Sequence, residues 1–444
     1  MVIAIVAFSV LAGIHLSVIK KDWMNPGTIF LWYWALVVLM ASLRLFGLME
    51  TSNEAYLFVL IGVVFYYLGS YIAGRIRIKL VVGKSAGKRT QQFDCYETNY
   101  SFLYIAAIIV IIYSIYRIIL IIQLLSAGNS WWAIRLMATS GEGGAGTLKG
   151  GNLNDIIYSF IVSPLIYLIV PTVVTEVLSG KKRKIPIILS VVATLTYSIA
   201  TVSRAVWAFA IIYIVAIALL FRKRFTLSKR QKRILKMAPL IIIVLALIIN
   251  KITTMRNSEA DIFVNAYAYF SGCMPLLSVH LKEIISNTRT YGMLTLYGFL
   301  NPIFFLMNRL HILSYPVAFK NAKLVKDNLE AFIALSPSIN MNAYATLFYD
   351  FYIDFGMIGI ALGSFIFGFI CMKAFNSYKR KGDTRSLVIY LILLQFILFS
   401  VARIYTIYAT RALSFIWIIP MFKKSVIKNS KNKEAIGVGK RTKD

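Results

Sequence analysis

Long apolar runs separated by short polar connections dominate the chain, and the length of the runs decides what they are. Segments 2–19, 28–47, 55–74, 100–125, 156–177, 185–201, 207–221, 237–251, 345–375, 386–401 and 412–422 are poor in charge. Most approach the roughly 20 residues a helix needs to cross a bilayer. In hydrocarbon each segment must satisfy its own backbone N–H and C=O groups, so each run is expected to be a helix. The expected fold is all-α: a polytopic integral membrane protein with about eleven transmembrane helices and a large, partly helical extracytoplasmic loop. A transmembrane bundle of about eight spans covers 1–251, the large loop 252–344, the C-terminal transmembrane helices 345–422 and a basic cytoplasmic tail 423–444. A loop of that length needs elements of its own. Stretches 261–286 and 291–312 repeat apolar residues at helical spacing and predict partly buried or membrane-lying helices. An earlier loop, 126–155, carries Trp131, Trp132, Arg135 and a glycine-rich run, which fits an interfacial aromatic anchor.

Charge supplies the orientation. Of the 48 Lys and Arg, 33 fall in clusters at 20–21, 75–89, 181–184, 222–236, 373–385 and 423–443, between or after the apolar runs. Cytoplasmic loops collect such residues, so the N-terminus is expected outside and the C-terminus inside. The formal charge of +30 is then spent on topology and on anionic lipid, and no nucleic-acid partner is expected. The first run lacks a basic start and leads directly into a second span, so it is expected to stay as the first helix. Cys95, Cys273 and Cys371 are scattered and odd in number, which indicates neither a disulfide framework nor a metal cluster.

The basic residues outside the clusters are candidates for chemistry. Arg204 lies in the turn between the sixth and seventh spans, where a charge must snorkel, pair or line a wet cavity. The alternative is an interfacial anchor beside Trp207. Arg135, Lys251, Arg256, Lys282, Arg289 and Arg309 fall in outer segments, and Arg403 and Arg411 at the outer ends of the last two spans. Guanidinium forks match phosphate oxygens in pairs, so several converging on one cavity would hold a pyrophosphate, whereas singly they are solvated loop charges. Arg117, well inside the fourth span, fits neither pattern. Asp350 and Asp354, four residues apart on one helix face, would position or deprotonate a hydroxyl, pair with an arginine, or complement the helix dipole. Glu283 and His280 are further base candidates. No zinc-ligand spacing, phosphate-binding glycine loop or nucleophile elbow appears, which argues against ATP-driven pumping and soluble hydrolase chemistry.

Several local segments carry a family likeness: Asn25-Pro26, Ser203-Arg204, YFSGCMPLL from Tyr269, YGMLT from Tyr291, and NAYAT from Asn342 leading to DFGMIG from Asp354. In that order they resemble the oligosaccharide repeat unit polymerase family, the Wzy-type polymerases of O-antigen, lipopolysaccharide and capsule synthesis. Cys273 and Met274 stand in the variable centre of one segment, and Ala345 departs from the pattern in another. The resemblance implies a cofactor-free, metal-independent membrane glycosyltransferase in a bacterial plasma (inner) membrane. Its expected partners are an undecaprenyl-pyrophosphate-linked oligosaccharide donor and acceptor, membrane lipid, and a chain-length regulator and flippase of the same pathway. By this likeness Arg204, Arg256, Arg289, Arg403 and Arg135 bind the donor pyrophosphate, and Asp354, Glu283 or Asp350 orients or deprotonates the acceptor hydroxyl. A lipid-linked glycan ligase shares these requirements with a different acceptor. A flippase or transporter would instead place paired interrupted helices and charges at the bilayer centre.

Overall fold

The computed structural model describes residues 1–76, 95–131, 133–134, 152–181, 183–221, 262–283 and 289–425, and these are mostly helical. Among the described residues six helices are long and apolar enough to cross a membrane: α1 (Val2–Lys20), α3 (Asn53–Arg75), α4 (Tyr100–Ser126), α5 (Asn154–Leu178), α6 (Lys184–Thr201) and α12 (Thr346–Lys381). Four more apolar helices are shorter: α2 (Pro26–Ser42), α7 (Ala205–Phe221), α13 (Thr384–Leu398) and α14 (Ala409–Met421). The expected span at 237–251 lies outside the described residues, so the count of eleven rests on the sequence alone. The architecture is that of an all-α membrane protein. Two small antiparallel pairs accompany the helices: β1 (Cys95–Thr98) with β4 (Phe422–Ser425), and β2 (Ile333–Ser336) with β3 (Ile339–Met341).

Local chemistry sets the helix starts. The Asn25 side chain accepts from Thr28 N at 2.9 Å with Pro26 in the first turn, and Ser52 accepts from Ala55 N at 3.2 Å at the head of α3; both are ordinary N-caps. Within α5, residues Ile157–Val162 widen into a π-helical turn just before Pro164, which has no N–H to give. The indole of Trp417 donates to the Phe160 carbonyl in this turn at 3.0 Å.

The described residues of the large loop hold four helices: α8 (Ile262–Ser271), α9 (Cys273–Glu283), α10 (Tyr297–Arg309) and α11 (Val317–Asn328). The stretch expected at 261–286 is thus two helices meeting at Gly272, and the one at 291–312 begins as turns and becomes helical only at Tyr297. In and just past α10, Ile303, Leu306, Leu310 and Ile312 are exposed, while Phe305 meets Phe160 of the π turn with ring centroids 6.4 Å apart.

Contacts sort the connections into two poles. At one, Lys20 donates to the Gly74 carbonyl at 2.7 Å and Asp22 pairs with Lys379. Glu176 accepts there from Thr98 and Lys181, and Asp383 from Tyr96 N at 2.9 Å. This pole gathers the described parts of the basic clusters. At the other, Tyr267 reaches Leu45 N at 3.0 Å, Ser278 takes Ser52 N at 2.9 Å, and Thr346 N donates to the Ala402 carbonyl at 2.9 Å. The large loop and Ser203-Arg204 therefore share the pole opposite the lysines.

The core seam is α3 against α12. A methyl group added at Gly69 would run into the Phe365 carbonyl, and one at Gly368 into the Tyr66 carbonyl. Small residues of this kind let backbones approach closely where no hydrophobic effect drives helices together. Gly69→Ala and Gly368→Ala are each expected to cost about 1–3 kcal/mol through overpacking. Thermal unfolding in detergent reads this directly; an unchanged midpoint for both variants would contradict the close seam.

Candidate functional site

The pole opposite the lysines is organised by the first two turns of α12. Asp350 accepts at Oδ1 from Arg403 Nε (3.2 Å) and Nη2 (3.0 Å), and at Oδ2 from Ile404 N (2.9 Å). Both side chains of this ion pair are 0% exposed, and Arg403 Nη1 also donates to the Lys326 carbonyl at 3.3 Å. One turn later Asp354 Oδ1 accepts from Thr290 Oγ1 (2.5 Å), Gly292 N (2.9 Å) and Leu294 N (3.2 Å), and Oδ2 from Thr295 N (3.0 Å). Both oxygens of each carboxylate are thus taken up by donors from within the protein, which leaves few lone pairs to turn towards a substrate. Of the roles expected from sequence, the geometry shows the pairing with an arginine for Asp350, and it places Asp354 as the anchor of residues 290–295.

The helix then breaks. Phe355 leaves the helical region and Gly356 takes φ 65°, a conformation that favours glycine. Arg289 occupies the break: Nη1 donates to the Tyr352 carbonyl at 2.5 Å, and the guanidinium lies 4.6 Å from the centre of the Tyr352 ring. A side chain at Gly356 would press on that guanidinium. Arg289 is thus half-buried and engaged with the backbone of α12.

A second group of arginines sits on tyrosines. Arg204 Nη2 donates to Tyr269 Oη at 3.0 Å, and Tyr269 lies 5.6 Å from Tyr344, ring to ring. The Arg411 guanidinium lies 3.0 Å from the ring centre of Tyr167, 4.6 Å from Phe209 and 5.5 Å from Tyr405. Its Nη1 is buried with no hydrogen-bond partner among the described residues. Tyr344 is an electrostatic neighbour of Arg204, Tyr405 of Arg411 and Tyr344, and Tyr408 of Arg403. Arg204, Arg411 and Arg403 thus each lie in the neighbourhood of one of Tyr344, Tyr405 and Tyr408, and the Tyr405 and Tyr408 rings are 6.1 Å apart. The loop bearing Arg289 joins this group where Thr406 Oγ1 donates to the Thr295 carbonyl at 2.6 Å. Arg135 and Arg256 lie outside the described residues.

Glu283 differs from the two aspartates. Its side chain is 63% exposed, with Oε2 at 3.4 Å from His280 Nδ1. The His280 ring is buried, which lowers its pKa; Glu283 pulls in the opposite direction. Glu330, exposed and electrostatically adjacent to Tyr408 and Arg403, is a carboxylate that sequence reading passed over. Arg411 was one of several outer arginines by sequence. The signal that separates it is the run of tyrosines before it, Tyr405 and Tyr408. Among the described residues no group of three or more His, Cys, Asp or Glu is gathered as a metal site would need. Comparison with known protein families, curated proteins and solved structures finds no match to this chain.

The buried pair makes a sharp expectation. Asp350→Leu alone strands the Arg403 charge and is expected to cost about 3–5 kcal/mol. Asp350→Leu with Arg403→Met removes both charges and should recover most of that loss in thermal unfolding. A double variant no better than the single would mean the pair is not coupled.

Proposed function

We propose that the chain polymerises polyprenyl-diphosphate-linked oligosaccharide repeat units into a surface polysaccharide, at the outer face of a bacterial plasma membrane. The observation that carries this reading is Arg411, with Nη1 buried and unpartnered among the described residues, in a tyrosine-rich cluster shared with Arg204. Guanidinium forks bind phosphate oxygens in pairs, and tyrosines offer both flat faces and hydroxyls to a sugar. The sidedness supports it too, because this pole is opposite the basic clusters, which belong in the cytoplasm.

In the reaction, an acceptor sugar hydroxyl attacks the anomeric carbon of the donor glycan. The bond from that carbon to the diphosphate oxygen breaks, and the hydroxyl proton passes to a carboxylate. Negative charge grows on the departing diphosphate, where Arg204 and Arg411 stabilise it without having to reorganise. Glu283 and Glu330 are two exposed carboxylates at this pole that suit the proton transfer. Arg403 is bound to Asp350 and holds Tyr408 in place. Lipid tails approach sideways between helices.

Purified chain incubated with lipid-diphosphate-linked repeats in chelator is expected to form a ladder of products. Arg411→Gln and Arg204→Gln should each slow it on the order of 10²-fold with the unfolding midpoint retained. Single transfer to an acceptor without a carrier lipid would point to a ligase instead, and unimpaired rates in both variants would remove the reading. Labelling of an engineered Ser203→Cys only from the cytosol would remove it as well.

A further inference from the structure

Arg117 takes no part in the cluster above, yet it is as buried as a core residue. It projects from α4 about nine residues, or about 13 Å of helical rise, before the outer end of that helix at Ser126. The residue is 3% exposed, and its Nε has no hydrogen-bond partner among the described residues. Its guanidinium carbon lies 5.4 Å from the centre of the Tyr158 ring in the π turn, and the Tyr113 hydroxyl is within hydrogen-bonding reach. None of the ion pairs among the described residues includes it.

Two further buried donors in this seam have no partner among the described residues. Ser114 Oγ stands one turn before Arg117 on the buried face of α4, and Ser198 Oγ belongs to α6, which packs on α4. Beside Ser198, Tyr197 meets the Tyr158 hydroxyl at 3.2 Å and Ser163 Oγ at 2.8 Å. The Tyr197 ring lies 6.2 Å from that of Tyr167, the ring on which Arg411 rests. A file of tyrosines thus runs from Arg117 to the arginine cluster.

The Asp155 carboxylate bears on Tyr113 from the same neighbourhood but makes no ion pair with Arg117 among the described residues; a buried guanidinium without a carboxylate in contact is costly, and the cost is offset when an anion takes the position. The Tyr113 hydroxyl at the guanidinium, with serine hydroxyls unpartnered among the described residues on the two facing helices, suits an anion with oxygens in several directions, which a phosphate has and a carboxylate has less of. We propose that the seam between α4, the π turn of α5 and α6 is a second anion-binding site, taking a phosphate or diphosphate ester through Arg117 with Ser114 and Ser198. The π turn shapes it, because the widened backbone carries Tyr158 to the guanidinium. Such a group is available from an outer-leaflet phospholipid head group or from a lipid-linked diphosphate. The site's existence does not depend on the polymerase reading.

The test uses the full chain, with Arg204→Gln and Arg411→Gln introduced to silence the first cluster. Binding of inorganic pyrophosphate is measured by titration calorimetry, and thermal midpoints are compared in nanodiscs of phosphatidylglycerol and of phosphatidylcholine. The double variant is expected to retain saturable pyrophosphate binding, a higher midpoint in phosphatidylglycerol, or both; the first assigns the site to a diphosphate and the second to a lipid head group. Adding Arg117→Met, which is of similar length and removes the buried charge, is expected to keep the fold and weaken either signal at least 10-fold. Arg117→Lys keeps the charge without the fork and is expected to weaken it about 5-fold, which covers the case in which the methionine variant does not fold. Absence of both signals in the double variant, or unchanged binding on substitution of Arg117, overturns the site.

Discussion

A carboxylate buried to full depth must be ringed by donors or lose its charge, and α12 carries two of them one turn apart. Asp350 draws in Arg403 and the backbone at Ile404; Asp354 draws in Thr290 and three backbone amides. Between them they fasten two separate connections, the turns after residue 289 and those after residue 402, to one short stretch of helix. Arg289, Tyr405 and Tyr408 take their positions from these bonds. Arg289 is held beside the break in α12, and the turn that brings Tyr405 and Tyr408 beside the arginines begins where Arg403 and Ile404 are fixed.

The molecule is strongly polarised in its chemistry. At one pole, lysines are tied down by Asp22, Glu176 and carbonyl oxygens, which are contacts of fastening. At the other, guanidinium groups rest on aromatic faces and keep some of their donors unspent, as Arg411 does. Arginines of the first pole also lie on rings, Arg183 on Tyr100 and Arg385 on Tyr96, so what sets the second pole apart is a buried guanidinium donor with no partner among the described residues, at Arg411. A site for polyanionic, sugar-bearing substrates needs a donor of that kind.

Much of the fold was legible because a bilayer leaves a chain few choices. Apolar run length gave helices at α1, α3, α4, α5, α6 and α12, and the spacing of the basic clusters gave their alternation between poles. The site was legible only in part. Arg204 stood out because a charge at that turn is unusual, and the structure places it on Tyr269. Asp350 and Asp354 stood out for the same reason but are occupied, since sequence shows that two carboxylates share a face and not which donors come to meet them from residues 290–295 and 403–404. Glu330 was hidden by the converse effect, and Arg411 stood among the outer arginines without being singled out. Each looks like an ordinary loop charge until folding brings Tyr405 and Tyr408 alongside.

The break at Phe355–Gly356 carries a requirement on chain length. Upstream of it, the helix must arrive with both carboxylates turned towards their donors, and each residue of an α-helix turns the next by about 100°. One residue inserted or removed between 346 and 350 would swing one or both acids away from their partners, with no later turn able to correct the phase. The opening of α12 is therefore fixed in whole residues, and beyond Gly356 the close seam with α3 at Phe365 and Gly368 fixes the register of the same helix a second time.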